Sequence, residues 1–378
     1  VSRILVLTFT EVVQDPRVMR HVAALQPVHD VVTCGQGPAP GGVAAHYALP
    51  AADHLPRTPA GLAALALRRA DRAYAHLPAA NQARRVLQDA PFDLVIANDI
   101  NAVPVALELA AGRPVVADLH EYAPRQFEGD WRWRLMVQPF NEELCRRYLP
   151  ACAAVTTVCD GIGLEYQREF GVPATTVTNA APYRGPQRTG VPAVVRAVHS
   201  GAAQPNRRLE LMMGAAADLP GLTLDLYLVS TAATRPYLEQ LRSAAAATSN
   251  VRVLDPVPMA ALPAVLDGYD LGIFVLPPDS FNARFTLPNK FFDFVQSGLG
   301  VLIGPSPEMA RLVDRHGLGQ VLPDFAEGSL RAALSALEPE QVARWKAASC
   351  RAAEALSAQS QAEALRTVVA QVLDGGKG

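Results

Sequence analysis

Lysine is nearly missing from this 378-residue chain: of 34 basic residues only Lys290, Lys346 and Lys377 are lysines. With 36 acidic residues the net charge is −2, so no global field draws the chain to nucleic acid or to an anionic membrane. The arginine and alanine excess reads as compositional bias rather than as a basic surface. Paired cysteine motifs are absent too. Cys34, Cys145, Cys152, Cys159 and Cys350 are odd in number and contain no CxxC, which excludes a recognisable zinc site and points to free thiols in a reducing compartment. No apolar run approaches 18 residues and the N-terminal "VSRILVLTF" lacks a leader cleavage region, so the expectation is a cytoplasmic protein, at most peripheral to a membrane.

Several nucleotide and hydrolase motifs are also missing. No GxGxxG follows the first strand-like run, and GxxxxGK[ST], GxSxG, HExxH and Asp-x-Asp do not occur. These absences argue against a dinucleotide enzyme, a P-loop, the common hydrolase nucleophile and a carboxylate clamp for a metal. No metal and no cofactor are expected.

What is present is a rhythm. Short Val/Ile/Leu runs ("ILVLTF", "DLVIAND", "PVVADLH", "RAVHSG", "LGIFVLP", "GVLIGP") alternate with amphipathic stretches over the whole length. Runs without strict alternation are strands buried on both faces, and strands alternating with helices predict an α/β fold with parallel sheets. About six such strands lie on each side of the Pro/Gly-rich stretch Ala181–Ala193. The spacing predicts two doubly wound Rossmann-like domains, 1–182 and 194–355, with a linker at 183–193. A C-terminal helix at 356–378 is expected to cross back to the first domain. Ligands then belong beyond the carboxyl ends of the strands, with the cleft between the domains as the expected site.

Four strand ends carry chemistry-bearing residues. In "FTLPNKFFDFVQSGLGVLIGPSPE", Thr286 is placed to cap a helix, with Pro288 in its first turn and Asn289 and Lys290 following. Free backbone N–H groups, the positive helix end and an ammonium converge there, as an anion site requires. Asp293, one turn on, is placed to meet a ligand hydroxyl. The spacing alone leaves two readings, a surface lysine or a point charge for a ligand. In "VHSGAAQPNRRLEL" a strand ends at Gly201, and Asn206 and Arg207 open a helix, where an arginine holds a phosphate or is simply solvated. In "VVADLHEYAPRQF" His120 and Glu121 stand at a strand end, either facing a ligand or serving as cap and core. After the first strand, Asp15, Arg17 and Arg20 form a ligand-facing set or a salt-bridged helix start. "EGDWRWRLMVQPFNEELCRRYL" interleaves aromatic and basic residues, as a packed helix, an acceptor dock or a membrane contact would.

Together, "HEY", "HSGAAQPNRRLE" and "LPNKFFDFVQSGLGVLIGPSPE", in this order over nearly the whole chain, resemble the GT-B glycosyltransferases, and more closely bacterial members of glycosyltransferase family 4. The resemblance implies a nucleotide-sugar donor in the second domain and a hydroxyl acceptor in the first: a glycan, a lipid-linked molecule or a small natural product. It implies that Arg207 and Lys290 hold the diphosphate, with Gly201, Asn206, Thr286 and Asn289 around it. Asp293 is implied to bond the ribose, the loop at Val257 to meet the base, and His120 to line the sugar site. Arg17, Glu121 and Tyr122 fall on the acceptor side. Transfer is implied to be metal-independent and retaining. The family pattern of two glutamates separated by seven residues is altered here to Phe285 and Asp293, which leaves Asn282 and Asn289 as candidates for the lost sugar contact. A nucleotide-sugar 2-epimerase of the same fold and a non-catalytic nucleotide-sugar-binding partner are the alternative readings.

Overall fold

A computed structural model describes residues 1–51, 55–185, 187 and 190–375. Part of the expected linker, Pro186, Arg188 and Thr189, lies outside the described residues, as does Lys377. The chain divides into two units. Unit 1 is Val1–Thr178 together with Ser280–Asn282 and the stretch from Gln361 onward, and unit 2 is Asn179–Asp279 with Ala283–Ser360.

In unit 1 the strands are β1 (Arg3–Glu11), β2 (Asp30–Gln36), β3 (Ala45–Leu49), β4 (Leu94–Asn98), β5 (Val115–Leu119), β6 (Ala154–Thr157) and β7 (Thr175–Thr176). They form one sheet in the order β3-β2-β1-β4-β5-β6-β7, parallel throughout. Every residue of β4 and β5 is buried, which is why these runs show no polar alternation. The strand the sequence reading passed over is β3. Four of its five residues are only partly buried or exposed, since it forms the sheet edge. The order reverses between β1 and β4. Ligand sites in open parallel sheets form beyond the carboxyl ends at such a reversal.

Unit 2 repeats the plan with β8 (Val195–Ala202), β9 (Leu222–Val229), β10 (Val251–Leu254), β11 (Leu271–Phe274), β12 (Gly300–Ile303) and β13 (Gly319–Val321). Their order is β10-β9-β8-β11-β12-β13, again parallel, with the reversal between β8 and β11. Its core joins Leu224, Leu226 and Ile273 from the sheet to Leu209, Met212 and Leu241 from the covering segments.

The core of unit 1 takes in residues from the far end of the chain. Ile4, Val6, Val22, Leu25 and Leu94 pack with Leu365, Val368 and Val369 of the helix Ala358–Gly375. Burial of each such side chain is worth about 1.5–3 kcal/mol, so this last helix is an integral part of the first unit. None of the five cysteines forms a disulfide with another.

Candidate active site

Register brings the polar strand ends of unit 1 together. Asn98 of β4 stands opposite Asp118 of β5, and Asp118 stands opposite Thr156 of β6. Asp118 is fully buried. It accepts from Arg17 Nε and Nη2, each at 2.6 Å, and from the Thr156 hydroxyl. Arg17 reaches it from the helix Pro16–Leu25, whose first turn is capped by the Asp15 carboxylate accepting from the N–H groups of Arg17 and Val18. A third guanidinium bond runs to Val177 O at 2.7 Å. Arg17 was expected to face an acceptor. It is instead 4% exposed and committed to Asp118, because a bidentate carboxylate partner in the interior outcompetes solvent for a planar guanidinium.

His120 stands on this pair. Its Nε2 lies 3.2 Å from Asp118 Oδ2, as an ion pair without hydrogen-bond geometry, and its Nδ1 lies 3.8 Å from Asp99 Oδ2. Burial opposes its charge, but Asp99 and Asp118 outweigh burial and raise it to about 9. His21, buried 3.6 Å from the same carboxylate, is driven the other way, to about 4, by burial despite Asp118. Asp118 itself is held well below the usual carboxylate range. Burial pushes it up, and Arg17 and His21 overcome that. The cationic form of His120 is therefore the neutral-pH form, sitting between two carboxylates. Asp99 has φ 64° and ψ 154°, a region non-glycine residues seldom occupy. Such strain clusters at functional sites.

Glu121 points beside it, accepting from Gln126 and, at 3.3 Å, from Asn282 Nδ2. Burial, with Asp99 adding, raises it to about 7. Tyr122, expected on the acceptor side, is 3% exposed and packs edge-on against Tyr166 at 4.9 Å and against Phe281 at 5.1 Å. It supports the loop rather than facing a ligand. Asn282, expected near a donor, belongs to unit 1, where its Oδ1 accepts from Tyr122 N at 2.8 Å and its Nδ2 donates to Tyr122 O at 3.2 Å. Its amide is spent within unit 1, on the Tyr122 backbone and on Glu121.

In unit 2 the decisive observation is a contrast between two lysines. Lys346 Nζ, buried, donates to Asp270 at 3.0 Å and to Tyr269 O at 3.1 Å. Lys290 leaves part of its side chain at the surface, but its Nζ is sealed from solvent and has no hydrogen-bond partner. The ammonium sits 5.3 Å from the Phe274 ring centroid. Burial first, then the Arg207 charge, lowers Lys290 to about 7, with Asp293 partly offsetting them. Gly201, at the end of β8, makes room. A Cβ there would lie 2.2 Å from Lys290 Nζ and 3.3 Å from Arg207 Nη1. Two cations thus converge on a bare backbone position at the β8/β11 reversal. Beneath them His199 donates from Nδ1 to Ile273 O at 2.8 Å, leaving a buried Nε2 acceptor unpaired, and burial, then Lys290, keeps it neutral.

The helix carrying Lys290 runs Asn289–Gln296. Its N-cap is Pro288, with no side-chain cap, so the expected Thr286 cap is not formed. Pro288 is extended at ψ 152° and carries the chain away from Thr286 before the helix begins. The helix therefore starts with its N–H groups unclaimed by a side-chain cap, Asn289 and Lys290 being its first two residues. Arg207 also differs from expectation. It ends a short 3₁₀ turn, Pro205–Arg207, and the next helix begins only at Glu210, because Arg208 takes a left-handed conformation with φ 48°. Asn206 donates to Asp279 at 2.9 Å. Asp293 is half-buried near Lys290, and Val257 lies in the loop after β10. Sequence reasoning missed Asp99, Asp118, His21 and His199. Asp118, two residues before His120 on one strand, was the one with a readable signal.

The geometry predicts that Gly201→Ala weakens binding of a diphosphate-bearing ligand at least tenfold without unfolding the protein, because the methyl group must displace the Lys290 ammonium. Calorimetric titration with a nucleoside diphosphate that the wild type binds checks this. Equal affinity would separate Lys290 from the site.

Residues 18–180 match the family model described as Glycosyltransferase Family 4. No curated protein is a significant match. Solved structures resemble the whole chain. HepE of Anabaena, in complex with UDP and glucose, superposes with a TM-score of 0.70 at 14% identity, covering 98% of this chain and 100% of that one. Sucrose-phosphate synthase of Thermosynechococcus elongatus gives 0.73 at 12% identity, with 99% and 100% covered. A trehalose-6-phosphate protein of E. coli bound with UDP-2-fluoro glucose gives 0.69 at 11% identity, with 98% and 99% covered. The fold is GT-B, as the sequence motifs led one to expect. Among the described residues no cluster of His, Cys, Asp or Glu is arranged to hold a metal ion, and no helix is long and apolar enough to cross a membrane.

Proposed function

We propose that this protein is a metal-independent, retaining glycosyltransferase that moves a sugar from a nucleotide diphosphate sugar to a hydroxyl acceptor at the cytoplasmic side. The observation that carries the reading is the Lys290 ammonium, buried and unpartnered, converging with Arg207 on Gly201. A buried cation without a partner is costly, and a diphosphate supplies the missing charge. The uncapped start of the Asn289–Gln296 helix adds N–H donors to the same point. The family match over 18–180, the UDP and glucose bound by HepE and the UDP-2-fluoro glucose of the E. coli structure support the donor class.

In the proposed step the acceptor oxygen forms a bond to the anomeric carbon as the bond from that carbon to the diphosphate oxygen breaks. The acceptor proton passes to a departing phosphate oxygen. Lys290 and Arg207 stabilise the charge growing on the diphosphate, the kind of preorganised electrostatics that lowers such barriers most. Asp293 is assigned to the ribose and the loop at Val257 to the base. Cationic His120 and Glu121 are assigned to the sugar and acceptor hydroxyls in unit 1. Phe285, in place of a carboxylate that would bond the donor sugar, favours a second reading, a binding protein that holds the nucleotide sugar without turning it over.

A thermal-shift screen of UDP-, GDP-, dTDP- and ADP-sugars, with and without magnesium, tests the proposal. A ligand at about 100 times its dissociation constant adds about 2.7 kcal/mol of stability. One nucleotide diphosphate preferred without regard to metal, followed by transfer or slow hydrolysis, is the expected result. Tight binding with neither reaction supports the binding protein, and an epimerised sugar released without acceptor supports the epimerase. No shift with any donor overturns the reading.

A further inference from the structure

The stretch that interleaves aromatic and basic residues takes no part in the proposed reaction. It forms a short helix, Trp131–Met136, with two different faces. Trp133 and, one turn on, Val137 are each 8% exposed and line a semi-enclosed cavity of about 340 Å³ in unit 1. Trp131 and Leu135, also one turn apart, are 62% and 57% exposed. Residues i and i+4 share a helix face, so this segment is a wall with the cavity on one side and solvent on the other. Phe127, 59% exposed, lines the same cavity and packs edge-on against Trp133 at 6.1 Å, which puts it at the rim. Single exposed apolar residues are ordinary, but a tryptophan and a leucine stacked on one outward helix face beside an exposed phenylalanine ask for a partner.

The charges beside this face favour anions. Arg132 and Arg134 are exposed, and among the described residues neither has a carboxylate partner. The Arg132 guanidinium lies 5.5 Å from the Trp131 ring centroid. The neighbouring acids are engaged within the protein. Asp130 caps the helix, accepting from Arg132 N at 2.8 Å, and Glu128 accepts from Arg125 Nε and from the N–H of Phe281. Whatever covers the face must take up an indole and a leucine and attract two guanidinium groups. An anionic lipid surface does both, because indole rings settle at headgroup level and arginines meet the phosphates. A folded partner is a poor fit. So few apolar side chains fall far short of the roughly 800 Å² per side that a stable protein interface buries. We infer that unit 1 docks reversibly on an anionic membrane surface through the helix Trp131–Met136, with Trp131 and Leu135 inserted and Arg132 and Arg134 on the headgroups. The chain as a whole carries a charge of −2, so the attraction is local to this face and is screened beyond about 10 Å. Docking does not depend on the transferase activity. Where that activity holds, docking keeps the unit 1 cavity within one helix of membrane-borne acceptors.

Co-sedimentation of the full chain with phosphatidylcholine vesicles, with and without phosphatidylglycerol as a third of the lipid, tests the docking. Binding is expected to be roughly tenfold tighter or more with the anionic lipid and to weaken as salt is raised, since each cation at an anionic surface is worth roughly fivefold. Arg132→Gln combined with Arg134→Gln is expected to remove that preference. Trp131→Ser combined with Leu135→Ser is expected to weaken binding to the anionic vesicles roughly tenfold or more, through the apolar area withdrawn from the lipid. Both variants change exposed side chains only, so their melting temperatures should match that of the wild type. Insertion has its own readout. Lipids with brominated tails are expected to quench the tryptophan fluorescence of the wild type, and this quenching is expected to vanish with Trp131→Ser although Trp133 and Trp345 remain. Absence of vesicle binding overturns the inference, as does binding that ignores lipid charge or survives the loss of Trp131 and Leu135. A concentration-dependent dimer in sedimentation velocity that the same double variant dissolves also overturns it, because a second copy of the chain then covers the face.

Discussion

Lys290→Met is expected to lower turnover by about 10²- to 10³-fold, the size of effect seen when one preorganised charge-stabilising donor is removed, while leaving the protein at least as stable as the wild type at neutral pH. The two halves of this prediction have one cause. The ammonium is sealed from water with no hydrogen-bond partner and stands near Arg207. In the free protein it is a liability, and with a diphosphate bound it becomes a contact. Its folded pKa, about 7, lies below the ordinary lysine value of 10.5. The unfolded chain therefore binds more protons across that window, and stability rises as pH rises through it. The cost of the buried charge is fully present below about 7 and vanishes above the unfolded value. A methionine has no such dependence, so the variant's stability advantage is expected to shrink from neutral to alkaline pH in thermal melts. Binding a diphosphate should restore the proton. Calorimetry above neutral pH, in buffers of different ionisation enthalpy, is expected to show proton uptake in the wild type and none in the variant. Unchanged turnover, or uptake that survives the substitution, would remove Lys290 from the mechanism.

Asp118→Ala is the second large expectation, and it concerns stability. Removing this carboxylate leaves the Arg17 guanidinium buried without its bidentate partner. Breaking a buried pair from one side costs about 3–5 kcal/mol, whereas replacing both members by apolar residues of similar volume is often near neutral. Denaturant unfolding of Asp118→Ala should show that loss, and Arg17→Met combined with Asp118→Leu should recover most of it. A loss below about 1 kcal/mol in the single variant would mean that the pair behaves as a surface contact. The pH signs differ for this carboxylate and for His120 beside it. Asp118 has a depressed pKa, so its contribution is present above the ordinary carboxylate value and is lost as acid titrates it. His120 has a raised one, so its contribution is complete below the ordinary histidine value and is lost as pH climbs through about 9. Both are present together at mildly acidic to neutral pH. Loss of Asp118 should also lower the pKa of His120 and shift any pH profile that depends on the imidazolium.

Most of the architecture was legible because parallel strands buried on both faces leave an unmistakable trace. β4, β5, β11 and β12 are buried from end to end, and only Asn98 and Asp118 interrupt their apolar runs. β3 escaped because an edge strand with partly exposed positions lacks that trace. Lys290 could be singled out by scarcity, although nothing in the sequence said that its ammonium would be unpaired while that of Lys346 would be satisfied. Arg17 looked like a ligand-facing cation because its partner lies 101 residues away, and only the register of β5 beside β4 and β6 brings that partner under His120. Thr286 was misread because cap preference is a local statistic, and Pro288 turned the backbone before the helix could use it.

Leu365, Val368 and Val369 fill the core around Ile4, Val6 and Leu94, and this has a bearing on how the chain is made. During synthesis the first strand leaves the ribosome early, yet it must wait for the last helix before its core is closed. All of unit 2 is translated in between. Contacts spanning so much of the chain slow folding through the entropy of closing the intervening loop, and a domain held open exposes apolar surface to aggregation. Unit 1 is thus begun before unit 2 and completed after it, and the interval between the two is when the nascent chain has most need of a chaperone.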